Sequence, residues 1–202
     1  MLLDAEESQL VLVDYQARLM PSIHEGELVV ANAVRLARIA QMLQVPVWAT
    51  EENPEGLGGT VDVLQPLVAG RVLSKMAFDA TEVLLPRLKP APRAQGGGNA
   101  RSLPRHLQKA VPPPDPGRES IVIAGCEAHV CLMQTALGLL EEELEVWVVT
   151  DACSSRSERN RDAAFDRLAG AGAELVTTEM VAFEWLRDAG HPRFKEVLAI
   201  VK

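Results

Sequence analysis

The feature that most narrows the fold is an alternation. Short runs rich in β-branched residues are each followed by a longer segment whose apolar positions recur at three and four. Strand candidates fall at Leu10 to Val13, Val45 to Ala49, Arg71 to Leu73, Ser120 to Ala124, Glu145 to Val149 and Glu174 to Thr177. Between the first two, Val29, Val30, Ala33, Val34, Ala37 and Ala40 mark one face of a helix from about Glu27 to Leu43. Further helices are predicted from Asp79, as N-cap, to Leu88, over His129 to Glu142, from a Ser157 cap to Ala169, and near Glu179 to Arg187 and Pro192 to Val201. Parallel neighbours need a crossover, so strand and helix in regular succession build a parallel sheet with helices on both faces. The segment Leu12 to Asp14 shows no alternation of polarity, as befits a strand buried on both sides. The expected class is therefore α/β, a three-layer sandwich.

One stretch breaks this order. From Pro90 to Gly117 the chain reads PAPRAQGGGNARSLPRHLQKAVPPPDPG, too rich in proline and glycine for a strand or a long helix. It reads as an insertion, expected to be partly disordered or to protrude, within a single domain spanning residues 1–202. No internal repeat is visible.

Composition excludes several functions. Acidic residues outnumber basic ones by 28 to 20, the formal net charge is −8, and no basic run could track a phosphate backbone, so nucleic acid is not an expected partner. Apolar runs such as Ile121 to Ala124 fall far short of the ~20 residues needed to cross a bilayer. With acids at positions 4, 6 and 7, the first residues lack the basic start of a secretory leader, and the expected location is the cytoplasm. Three cysteines, Cys126, Cys131 and Cys153, suit a reducing compartment and leave at least one free thiol to account for.

Open parallel sheets bind ligands beyond the carboxyl ends of their strands. Reading each strand to its end nominates Asp14, Glu51, Lys75, Cys131 and Asp151. In IVIAGCEAHVCLMQTALGLL a strand enters a glycine-containing turn, and the next helix begins near Cys131. There the helix dipole and unpaired N–H groups favour a thiolate. A nearby Lys75 would lower the thiol pKa further, into the ~3.5 to 7.5 range of activated cysteines. Asp14 could then take the thiol proton and return it to a leaving amine, while turn N–H groups hold an oxyanion. The same residues also have a plainer reading. Cysteine is among the most buried residue types, an Asp ending a strand often caps a helix, and a lone Lys is usually solvated. Cys126 and Cys153 read as core packing, and His129 as a residue that orients or lines a pocket.

Other chemistries find less support. His24, His106, His129 and His191 are scattered without metal-ligand spacing, so no metal is expected. Gly56 to Gly59 lacks the third glycine of a dinucleotide fingerprint, no phosphate-loop or serine-elbow motif occurs, and no cofactor is expected. Four residues separate Cys126 from Cys131, where a thioredoxin-type pair has two. A redox role for Cys131, or a catalytically idle module acting through the Pro/Gly-rich segment, stands as the alternative to hydrolysis.

In this order, LVLVDYQARL, TEENPEGLGGTV, SKMAFDA, IAGCEAHVCLMQTALGLL and VWVVTDACSSRSERNRDAAFDRL resemble the isochorismatase-like cysteine hydrolases, most closely the branch with GxEAHVCVxQTA at the nucleophile. The resemblance covers nearly everything outside Pro90 to Gly117. It implies a six-stranded parallel sheet in the order 3-2-1-4-5-6 and a triad of Asp14, Lys75 and Cys131. It also implies a cis peptide at Cys126–Glu127 that turns the N–H groups of Glu127 and Cys131 toward an oxyanion, with Gln16 and Asn53 as pocket residues. The chain departs from the nicotinamidase branch, whose DxHxxH metal motif is replaced here by Glu51, Glu52, Asn53 and Pro54. It departs equally from the aryl isochorismatases, which lack the cysteine. The implied activity is metal-independent cleavage of an amide-type C–N bond in a small molecule by a homo-oligomer.

Overall fold

A computed structural model describes residues 2–89 and 117–202, so the expectations for the Pro/Gly-rich segment lie outside the described residues, save Gly117. Six strands, β1 (Ser8–Val13), β2 (Val47–Glu52), β3 (Val72–Lys75), β4 (Ser120–Gly125), β5 (Glu145–Val149) and β6 (Glu174–Val176), form one sheet. The order is β3-β2-β1-β4-β5-β6 and every neighbouring pair is parallel. The order reverses between β1 and β4, where a crevice opens at the carboxyl ends.

The central strands are apolar because both their faces are covered; every residue of β1 and β4 is buried. Helix α1 (Gly26–Met42) buries Val29, Ala33, Leu36, Ala37 and Ala40, close to the stripe its spacing predicts. The helices α1, α6 (Thr178–Leu186) and α7 (Phe194–Val201) pack together as one layer. The other layer is α3 (Thr81–Leu88), α4 (Met133–Glu141) and α5 (Glu158–Gly170). Between β2 and β3 lies α2 (Pro54–Leu57), a single turn too short for periodicity to reveal.

Two close approaches fix the frame around the crevice. A Cβ on Gly125 would stand 2.4 Å from the Val13 carbonyl oxygen, so glycine lets the end of β4 press against β1. A Cβ on Gly138 would meet Thr81 Oγ1 at 2.3 Å, so glycine lets α4 lie against the start of α3.

Strands β2 and β3 reach further toward the crevice than expected, ending at Glu52 and Lys75 rather than Ala49 and Leu73. Glu51 pairs with Ser74 and Glu52 with Lys75 across the ladder. Tertiary pairing overrides the weak strand propensity of Glu and Lys. At the opposite end of the sheet, Gln9 Nε2 donates to the carbonyls of both Leu88 and Arg118, at 3.0 Å each. The described residues on either side of the Pro/Gly-rich segment are thus gathered at the amino ends of the strands, away from the crevice.

Candidate active site

Asp14 follows the last residue of β1 in the left-handed region, with φ of 56°, a conformation Asp tolerates better than most residues. Its side chain is wholly buried, so its charge requires compensation. Lys75, at the end of β3, supplies it: Nζ lies 2.7 Å from Asp14 Oδ2, and the two side chains are 2% and 0% exposed. Lys75 Nζ also donates to the carbonyls of Ala77 and Phe78, both at 3.1 Å. Thr50 Oγ1 donates to Asp14 Oδ1 at 2.7 Å. Both charges are therefore held in one geometry by hydrogen bonds on several sides.

The third member arrives from the other side of the crevice. The Cys126–Glu127 peptide is cis, and the next residues, Ala128–Leu132, form a π-helical turn that leads into α4. The α-helix expected from His129 thus begins instead at Met133. The turn is anchored by Ala128 N–H on the Ser154 carbonyl at 2.7 Å and by Val130 and Leu132 N–H on the Glu127 carbonyl. It carries Cys131, whose thiol lies close enough to the Asp14 carboxylate to feel its charge. The lowered thiol pKa expected from the sequence is not what the site produces. Burial first, and then the negative charge of Asp14, push the Cys131 thiol up to about 12, with Lys75 only partly opposing them. A raised thiol pKa favours a neutral Cys131 beside the Asp14–Lys75 ion pair.

Cys131 opens onto a cavity of about 350 Å3. Leu19, Leu57, Phe78 and Val130 give it apolar walls, and Arg18, Glu52, Glu127 and Arg156 bring charge to it. A larger hollow of about 460 Å3 lies between Leu2 and α6, remote in composition from this chemistry: Met180 and Phe183 line it, and no thiol does.

Several residues nominated from the sequence have other work. Gln16 is fully buried and does not line the cavity. Its amide grips the loop after β2, with Oε1 accepting from Glu52 N–H and Nε2 donating to the Glu52 and Gly58 carbonyls. Asn53 caps α2 by accepting from Gly56 N–H. His129 points its Nδ1 at Ser155 Oγ, 2.9 Å away, and its Nε2 at Asn160 Nδ2, 3.3 Å away, outside the cavity wall. Glu51 accepts from Thr60 N–H and Oγ1, both at 2.7 Å. Asp151 accepts from Thr178 N–H and Oγ1 at the start of α6. Cys126 and Cys153 are fully enclosed, in keeping with core packing. Conversely, Arg18, Glu52, Phe78 and Arg156 border the cavity, yet each looks in the sequence like an ordinary loop or strand-end residue. Only Glu52 had a local signal, its place beside the strand-end residue Glu51. Among the described residues, no group of three or more His, Cys, Asp or Glu side chains is arranged to hold a metal ion. No helix among them is long and apolar enough to cross a membrane.

Comparison with known proteins now places this arrangement. Residues 8–180 match the model of the isochorismatase domain. This chain belongs to the isochorismatase family. A curated relative, isochorismatase domain-containing protein 2B of Mus musculus, is 36% identical over 199 residues, covering 98% of this chain and 82% of the relative. Among solved structures, one described as the MAR1 ribonuclease of Caenorhabditis elegans superposes with a TM-score of 0.82 at 29% identity, covering 100% of this chain and 92% of that one. The product of the ycaC gene of Escherichia coli, described as an octameric hydrolase of unknown specificity, does so with a TM-score of 0.78 at 25% identity, covering 100% and 87%. The fold is that of an isochorismatase-family hydrolase.

Proposed function

We propose that this protein is a cysteine hydrolase that cleaves an amide-type C–N bond of a small molecule, with no metal ion and no cofactor. The observation that carries the reading is the buried Asp14–Lys75 ion pair, 2.7 Å apart, acting on the thiol of Cys131, which itself lines a cavity. In the first half-reaction Asp14 takes the Cys131 proton as the sulfur bonds to the substrate carbonyl carbon. Lys75 offsets negative charge as the proton moves, and the N–H groups of Glu127 and Cys131 receive the oxyanion. Collapse of the adduct breaks the C–N bond, and the leaving nitrogen takes the proton from Asp14. A thioester remains. Water then gives a proton to Asp14 and its oxygen to the acyl carbon, the C–S bond breaks, and the sulfur regains its proton. The enzyme ends as it began.

Cysteine supports C–N cleavage here because a thiol with its own base is a nucleophile suited to a carbonyl, whereas a vinyl ether offers none. Glu51, Glu52, Asn53 and Pro54 place no histidine after β2, which supports a route without metal. The octameric neighbour supports a homo-oligomer, and three free cysteines support residence in the cytoplasm.

The test is a screen of small amides, with RNA included because a structural neighbour carries a ribonuclease name, against the wild type and Cys131→Ala. Amide turnover that falls roughly a thousandfold or more in the variant, whose fold is retained by circular dichroism, is the expected result. Turnover that survives the substitution removes Cys131 as nucleophile. RNA cleavage insensitive to Cys131 would replace this reading altogether.

A further inference from the structure

Among the described residues, one charged side chain bordering the cavity beside Cys131 has no hydrogen-bond or ion-pair partner. Glu127 is ion-paired to Arg156, with Oε2 3.0 Å from Nε and also accepting from Arg156 N–H. Arg18 donates through Nη1 to the carbonyls of Glu55 and Gly56 and stands exposed at the mouth. The deeper charges, Asp14 and Lys75, neutralise each other. Glu52 differs from all of these. Gln16 pins its backbone at both the N–H and the carbonyl. Its carboxylate makes no hydrogen bond or ion pair among the described residues, although it is half-buried and close enough to Cys131 for its charge to act on the thiol. A partly desolvated carboxylate with no partner is costly unless a ligand completes it.

We propose that Glu52 determines specificity, receiving a cationic nitrogen of the substrate beside the scissile carbonyl, so that the preferred substrates are small amides bearing an ammonium or amidinium-like group. This rests on the cysteine-hydrolase reading for the word substrate, but the charge selectivity itself does not. A neutral pair at the lip and an exposed Arg18 screened by water leave Glu52 as the carboxylate bordering this cavity that, among the described residues, has no hydrogen-bond or ion-pair partner, with only the more distant positive charge of Lys75 reaching it. Amides carrying a carboxylate at the same place would meet that charge directly and be rejected.

Cys131 itself can report on this before any substrate is known. The full-length protein would be treated at pH 8 with methanethiosulfonates whose tails differ only in charge: trimethylammonioethyl, ethyl and sulfonatoethyl. In each case the Cys131 sulfur bonds to the reagent's sulfenyl sulfur, methanesulfinate leaves and the thiol proton goes to solvent. Peptide mass spectrometry then gives the rate at Cys131. The cationic reagent should outpace the anionic one, and Glu52→Gln should lower that ratio about tenfold, with Glu52→Asp keeping most of it. The neutral reagent corrects for changes in thiol reactivity, and a thermal melt confirms that each variant is folded. A ratio unchanged by Glu52→Gln, or one lost equally in Glu52→Asp, overturns the proposal. If the ratio depends on Glu52 but no amide is ever turned over, the hydrolase reading fails and the selectivity stands. If cationic and anionic amides are hydrolysed with the same relative kcat/KM in wild type and Glu52→Gln, the selectivity fails and the hydrolase reading stands.

Discussion

Asp14 and Asp151 are the same residue type in equivalent topological places, each just past the carboxyl end of an inner strand, and they do different things. Asp14 meets a buried ammonium, a threonine hydroxyl and a thiol. Asp151 meets the N–H and hydroxyl of Thr178, at 2.8 and 2.9 Å, and so secures the start of α6. The rim over β1, β3 and β4 is thus built around a buried, compensated charge pair. The rim over β5 and β6, by contrast, is built from hydrogen bonds that close on themselves. A strand end delivers an acid to the rim, but the partners waiting there decide whether it joins a buried charge pair or caps a helix.

The sharpest way to break this comparison is to neutralise both acids. Under the proposed mechanism Asp14→Asn should cut amide turnover by about 10^2- to 10^4-fold, because the sulfur loses its base. Asp151→Asn should leave turnover nearly unchanged. Steady-state kinetics on any amide found in the screen decides it, and equal losses would erase the distinction.

Stability separates the two rims next. Lys75→Met strands a buried carboxylate and should cost about 3–5 kcal/mol in urea unfolding. Adding Asp14→Asn should recover much of that loss, since the cost comes from an unpaired charge and not from the missing ammonium. A double variant as unstable as Lys75→Met alone would show that the lysine stem, not its charge, matters.

Alkaline pH probes the thiol. Burial and Asp14 push Cys131 from the ordinary value of 9.0 up to about 12. Below pH 9 both folded and unfolded chains hold the proton, and no stability depends on it. Between pH 9 and 12 only the unfolded chain releases it, so stability should fall as pH rises through that window. Buried Cys126, raised in the same way, adds to the fall. Cys131→Ala should flatten the slope in denaturation curves collected from pH 8 to 11. In the same range, alkylation of wild-type Cys131 by iodoacetamide should climb steadily, and a plateau near neutrality would contradict a raised thiol pKa.

The smallest expected effect belongs to the quieter rim. Asp151→Ala removes two hydrogen bonds at the start of α6 and should cost about 0.5–2 kcal/mol, as the loss of a helix cap does. A thermal melt and an unchanged alkylation rate at Cys131 would together place Asp151 outside the chemistry.

How much of this was legible beforehand follows from the range of each signal. Strand and helix order was readable because apolar periodicity is local, and β1, β4 and α1 bury the residues their spacing marks. The meeting of Asp14 with Lys75 was readable because a parallel sheet gathers its strand ends. Gln16 and Asn53 were misplaced because an amide can serve a backbone as well as a ligand, and which it serves depends on carbonyls dozens of residues away. The thiol's ionisation was misjudged for a related reason: a helix start favours the thiolate locally, while enclosure by distant segments opposes it.

The sequence by itself determined the alternation of elements, the parallel sheet and the residue types that reach its carboxyl rim, since all of these follow from short-range patterns and chain connectivity. Only the tertiary structure decided which rim residues share a cavity, which acids are already spoken for, and that Glu52 rather than Glu51 lines the cavity with Cys131. Charge compensation and burial depend on neighbours that the chain brings together only after it has folded.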